Sequence, residues 1–275
     1  MINYLNLTPG NSVIALTPEI TYLQKPFWCH CSTLNLKMSI LAPRRHYAYD
    51  PPIAPRPCIV FFCGGAFMKQ DRSVWLPELV FFAKQGYTVA TVDYSTFANT
   101  EFPEQLQEVK TAIRYLRSHA VELNLDPERF VSMGESAGGQ LAAWVGVTGD
   151  DPLYKTDDYA AQSDAVQCCV GWYPVTHINQ FPKPEFMRIR TENYPDTCEL
   201  VSKDTPPMFL AHGVNDSQVP YVQSVRLHDK LQAFGVDCEL YLLNGAEHSD
   251  PLFVQPELKE RMLAFMDRHL GLFKA

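Results

Sequence analysis

Long apolar runs are missing from this 275-residue chain. Uncharged apolar stretches such as Cys58 to Met68 and Val166 to Val175 fall well short of the ~20 residues that cross a bilayer as a helix. Clustered positive charge is missing too. There are 23 Lys and Arg against 31 Asp and Glu, a net charge of −8, and no basic cluster exceeds Pro43-Arg44-Arg45. Nothing in that pattern offers the positive face that nucleic acid or an anionic membrane requires. The first twenty residues hold no Lys or Arg, and their short apolar stretch is broken by Pro18 and Glu19. A secretory signal would need both a basic start and an apolar middle, so the sequence predicts a cytoplasmic protein.

Metal-binding patterns are equally scarce. Cys29-His30-Cys31 has no second CxxC or HxxxH pair to complete a four-ligand set, and structural zinc needs a closed set. The acidic stretch Gly149-Asp150-Asp151-Pro152 lacks the ordered D-x-[DN]-x-[DN]-G spacing of a calcium loop and reads as a solvated face. No metal and no cofactor are expected. Four cysteines, Cys58, Cys63, Cys168 and Cys169, lie in or at the end of apolar runs, where a thiol behaves as a small hydrophobe.

What the chain does have is a globular composition, 46% hydrophobic and 20% charged, which excludes a disordered or collagenous polymer. Alternation at Leu34, Leu36, Met38 and Ile40 predicts a half-buried strand. The Pro-rich segment after it (Pro43, Pro51, Pro52, Pro55, Pro57) reads as a hairpin loop on a sheet edge. Short apolar runs then alternate with helical patterns, the rhythm of βαβ units with a buried parallel sheet. The runs are Cys58 to Cys63, Tyr87 to Val92, Phe130 to Met133, Val166 to Trp172, Met208 to Ala211 and Glu239 to Leu243. Asp126-Pro127 is expected to end the connection before the third of them. Helical stripes fall at Leu106, Val109, Ile113 and Leu116, at Leu227, Leu231 and Phe234 before Gly235, and at Leu258, Met262, Phe265 and Met266. With no internal repeat, one domain over residues 1–275 is predicted, carrying an irregular insertion at 149–205.

The sharpest motif is Gly134-Glu135-Ser136-Ala137-Gly138, directly after the Phe130 to Met133 strand. This is G-x-S-x-G, in which a tight strand-to-helix turn lifts a serine into a pocket and needs small flanking residues. A serine hydroxyl needs a base, and the base needs an orienting group. Asp216 follows the Met208 to Ala211 strand, and His248 follows the last strand. Ser, Asp and His in that order, each past a strand's C-terminal edge, point to a triad of Ser136, Asp216 and His248. Cys63-Gly64-Gly65-Ala66-Phe67 follows the first buried strand and would present backbone donors to an oxyanion. The expected donors are the amides of Gly65, Ala66 and Ala137. Phe67, Trp172, the segment near Trp75, Tyr173 and Phe181 are candidates to line the substrate pocket. His212 is expected to support a turn, and Glu135 and Glu247 to point away from the chemistry.

In this order these residues resemble the α/β-hydrolase fold, and within it the hormone-sensitive-lipase-like esterases. The group containing bifunctional feruloyl and acetyl xylan esterases is more similar still. The resemblance runs from about Pro57 to the C-terminus, through Val92-Asp93-Tyr94, Phe102-Pro103, Asp126-Pro127-Glu128-Arg129 and Gly134 to Gly139. It implies a mostly parallel eight-stranded sheet flanked by helices, a short cap-like insertion, and serine esterase chemistry on a small-molecule ester. The loop departs from the family's His-Gly-Gly-Gly: Cys63 takes the His position, Ala66 that of the third Gly and Phe67 that of the following Trp. Hydrolysis of short-chain acyl esters, acetyl groups on small saccharides included, is the expectation. An arylformamidase-like or peptidase-like acyl hydrolase, or a non-catalytic ligand-binding hydrolase fold, are the alternatives. The fold often dimerises through edge elements, so a homodimer is allowed for.

Overall fold

The computed structural model describes residues 2–6, 13–27, 29–44, 54–97, 100–180, 182 and 185–272. The chain opens with β1 (Ile14–Phe27) and β2 (Ser32–Pro43), an antiparallel pair. There follow β3 (Arg56–Phe62), α1 (Leu76–Lys84), β4 (Thr88–Val92), α2 (Glu104–Ser118), α3 (Ala120–Leu123), β5 (Leu125–Glu135) and α4 (Ala137–Thr148). The second half holds β6 (Cys168–Trp172), α5 (Glu185–Thr191), β7 (Met208–Gly213), α6 (Val222–Ala233), β8 (Cys238–Leu243) and α7 (Pro256–His269). All eight strands share one sheet in the order β1-β2-β4-β3-β5-β6-β7-β8. β2 pairs antiparallel with β4, and every later pairing is parallel.

The wholly apolar strands are buried on both faces. In β3, Cys58, Val60 and Phe62 face a core shared with Leu106, Val109 and Ile113 of α2, Leu141 of α4 and Leu227 of α6. Ile59 and Phe61 alternate onto the opposite face, beside Leu79 of α1 and Met262 of α7. This period-two split of an apolar run is what makes a three-layer α/β/α arrangement. From β3 the chain moves outward to β4 and then returns across to β5, so the strand order reverses between β3 and β5. Ligand sites in open α/β sheets gather at such a switch point.

Three expectations change. The Pro-rich segment after β2 is not a hairpin, because β2 has its partner in β1 on one side and β4 on the other, and the chain goes on to β3. Pro51 and Pro52 lie outside the described residues. The stretch broken by Pro18 and Glu19 is itself strand β1. It tolerates both as a sheet-edge strand with register shifts between Thr17 and Ile20, and Glu19 takes a left-handed φ of 63°. Asp126 and Pro127 do not precede the strand but lie inside β5, at the irregularity between the Arg56 and Cys58 pairings. The apolar stripes of α2 and α7 are buried as expected, whereas Phe234 is exposed just past α6.

Candidate functional site

Ser136 sits between β5 and α4 with φ 55° and ψ −121°, a backbone region that costs an L-residue energy and persists only where its surroundings enforce it. The enforcement is visible in the flanking glycines. A Cβ on Gly138 would lie 2.0 Å from the Phe62 carbonyl oxygen, and one on Gly134 would lie 2.3 Å from that of Gly138. Helix α4 therefore starts hard against β3, and its N-terminus faces the serine. Trp172 of the neighbouring strand accepts the Ser136 amide at 3.0 Å, which fixes the turn to the sheet.

His248 links the two other expected residues. Its Nδ1 lies 2.7 Å from Asp216 Oδ2 and its Nε2 lies 2.9 Å from Ser136 Oγ. A carboxylate only accepts, so Nδ1–H donates to Asp216, and Nε2 is left to accept from the serine hydroxyl. Asp216 also accepts the amides of Gln218 (2.9 Å) and Val219 (2.8 Å) through Oδ1. Burial alone would raise its pKa. Hydrogen bonds from His212 and His248, with the Val219 amide, outweigh that and hold the carboxyl far below the usual range. A hydroxyl beside a base that a carboxylate orients is the arrangement that turns a weak nucleophile into an active one.

His212 does more than support a turn. Fully buried, it donates from Nε2 to the Val219 carbonyl at 2.9 Å, lies 3.3 Å from Asp216 Oδ2, and accepts from Ser224 Oγ at Nδ1 (2.7 Å). Its position at the end of β7 was legible, but a second imidazole on one carboxylate is a tertiary fact. Glu247 turns from His248 toward the Asp216 loop, accepting the Ser217 amide and hydroxyl, each at 3.0 Å. The Tyr173 ring meets the His248 ring edge-on at 4.6 Å and walls one side of the imidazole.

The loop after β3 carries three successive left-handed residues, Gly65 (φ 128°), Ala66 (φ 55°) and Phe67 (φ 58°). None of the amides of Gly65, Ala66 and Ala137 donates to another described residue. The Gly64 amide, by contrast, is taken by the Glu135 carboxylate. Of the aromatic residues expected at the substrate pocket, Phe67 and Trp172 are wholly buried. The left-handed turn swings Phe67 inward onto Tyr94, Phe97, Trp144 and Tyr194. Trp172 packs edge-on to Phe61 and Trp75 and donates to Met262 Sδ at 2.9 Å. Both are core residues here rather than pocket walls. Phe181 lies outside the described residues. Asp150 and Asp151 are engaged locally rather than merely solvated, accepting from Ser163 Oγ, the Asp164 amide and the Leu153 amide. Among the described residues no group of three or more His, Cys, Asp or Glu side chains could hold a metal ion, and no helix is long and apolar enough to cross a membrane.

Eight strands in this order, flanked by helices and ending in these loops, define an α/β-hydrolase. The model of the BD-FAE family matches residues 48–231, a span that includes Gly65, Ala66, Ser136 and Asp216 and stops short of His248. The chain belongs to the BD-FAE family. It is 28% identical over 218 residues to esterase LipC of Mycobacterium tuberculosis, covering 72% of this chain and 54% of that protein. It thus spans about half the length of that relative. It is 24% identical over 220 residues to an acetyl esterase of Salmonella paratyphi A, covering 73% of this chain and 67% of the other. Among solved structures, Thermogutta terrifontis esterase 2, phosphoramylated by tabun, superposes with a TM-score of 0.74 at 25% identity, covering 98% of this chain and 97% of that one.

Proposed function

We propose that the chain is a serine carboxylesterase that hydrolyses short-chain acyl esters, with acetyl groups on small saccharides as its substrate class. The observation that carries this reading is the single imidazole of His248, within hydrogen-bond distance of both Ser136 Oγ and Asp216 Oδ2. Ser136 Oγ attacks the ester carbonyl as His248 Nε2 takes its proton. Asp216 holds the imidazole in that tautomer and stabilises the imidazolium. The tetrahedral oxyanion is met by the amides of Gly65, Ala66 and Ala137, the last at the N-terminus of α4, where partial positive charge adds to the attraction. Collapse transfers the proton from His248 to the leaving alcohol and leaves Ser136 acylated. Water, activated by the same imidazole, then releases the acid.

The short acyl preference is supported by the similarity to the Salmonella paratyphi A acetyl esterase. Initial rates on p-nitrophenyl acetate, butyrate, octanoate and decanoate test it, with Ser136→Ala run in parallel. Acetate or butyrate turnover that is lost by a factor of roughly 10⁴ or more in Ser136→Ala supports the reading. Equal feeble rates in both proteins would overturn it. A neutral organophosphate ester gives a second readout, since stoichiometric addition to Ser136, seen by mass spectrometry, is expected of an activated serine.

A further inference from the structure

One buried carboxylate next to the nucleophile has no place in that reaction. Glu135, the residue before Ser136, is 6% exposed. Its Oε1 receives the Gly64 amide, the Trp75 indole N–H (3.2 Å) and the Cys63 thiol (3.7 Å). Burial, and then the Glu135 charge, push the Cys63 thiol up to about 12, so it stays protonated and remains a donor. Glu135 forms no ion pair among the described residues. A buried carboxylate met only by neutral donors is costly unless those donors are held in place around it, and here they come from the loop after β3, the turn leading into α1 and the Tyr173 hydroxyl just past β6. The fit is tight, because a Cβ on Gly64 would lie 2.6 Å from both carboxylate oxygens.

We propose that Glu135 is a positioning residue that braces the oxyanion loop. By fixing Cys63 and Gly64 it sets the amides of Gly65 and Ala66 against Ser136, and because it adjoins Ser136 it ties donors and nucleophile into one rigid unit. Oxyanion donors act only if pre-set, since a donor that must reorganise loses most of its effect on the transition state. The proposal rests on the serine esterase reading above, and its test separates the two.

Glu135→Ala, Glu135→Asp and Glu135→Gln are compared with the wild type for kcat and KM on p-nitrophenyl acetate. Hydrogen–deuterium exchange of the 60–75 segment is followed in the same proteins. Ala removes the acceptor, Asp withdraws it by one methylene, and Gln keeps an amide oxygen at the Oε1 position. In Ala and Asp, kcat is expected to fall by roughly 10²-fold, the scale of one lost oxyanion donor, with KM within about threefold, and the Gly64 amide to exchange faster. Gln is expected to restore both toward wild type. If Ala does not fold, Asp against Gln carries the comparison. Folded Ala or Asp variants with wild-type kcat and wild-type exchange overturn the brace. A wild type with no Ser136-dependent turnover would overturn the esterase reading instead, and the exchange data would still decide whether Glu135 holds the loop.

Discussion

Asp216 is gripped from two sides, by His248 on the open side of the site and by buried His212 behind it. That double contact explains how a buried carboxyl stays ionised and why it is held so low. It also makes the charge, rather than the shape, the feature that matters. In Asp216→Asn the amide can present its N–H₂ to His248 Nδ1, which favours the opposite tautomer and turns Nε2 from acceptor to donor. We expect kcat to fall by roughly 10³- to 10⁴-fold, the scale of the same change in serine proteases, with KM for p-nitrophenyl acetate little altered. An Asn variant retaining more than a tenth of wild-type kcat would contradict the assigned role. At this scale the sequence singled out Ser136, Asp216 and His248, and the fold brings His248 within hydrogen-bond distance of the other two. It was misleading about Phe67 and Trp172, because the direction of an aromatic ring depends on left-handed φ values and neighbouring strands.

Helix α2 shows how an element can be clasped to the segment that follows β5 and α4. Lys110 and Arg114, one turn apart, both reach Asp164 (2.9 and 2.7 Å), and all three side chains are fully buried. Arg117, a further turn along, donates to the carbonyls of Pro127, Ser163 and Ala165. The part of the insertion before β6 is thereby fixed to α2 by charged contacts that add to the apolar packing of Tyr154 and Val166. Removing the one carboxylate leaves two buried cations uncompensated, so Asp164→Ala is expected to cost about 3–5 kcal/mol. Urea unfolding checks this, and a loss under 1 kcal/mol would mean that water reaches the pair. The apolar stripe of α2 was legible at 3- and 4-residue spacing. Its buried Lys and Arg were not, since the same residues on a solvated face would read identically.

Across the whole molecule the carboxyls differ in how folding moves them. Burial would raise Asp150, Asp196 and Asp216, yet hydrogen bonds and ion pairs outweigh it and hold all three low. The unfolded chain then binds more protons in acid, so their stabilisation is complete above about pH 4 and is lost as pH falls further. Glu108 works against them. Its burial raises it despite Lys25 and Ser95, so its contribution is complete below about pH 4 and fades as pH climbs through the raised value. With exposed Asp71, which Ser73 also holds low, four carboxyls among the described residues stand against one and give a net direction. The melting temperature is expected to slip slightly from pH 7 to 5, where burial holds the His269 imidazole below its usual range and the unfolded chain takes up the proton first, and to drop more steeply below pH 4. Calorimetry at pH 7, 5, 4 and 3 would show this, and a melting temperature that rises on acidification from 5 to 3 would refute it.

The sequence by itself determined the parallel core strands, the elbow at Ser136 and the order of Ser136, Asp216 and His248. Apolar runs that must be buried on both faces, and glycines that must sit where no Cβ fits, leave few alternatives. Only the tertiary structure decided that β1 forms the sheet edge despite Pro18 and Glu19. It alone showed that His212 shares Asp216, and that Glu135 turns toward Gly64. These depend on which strands become neighbours, and a carboxylate or an imidazole takes its role from the donors that the sheet order brings within reach.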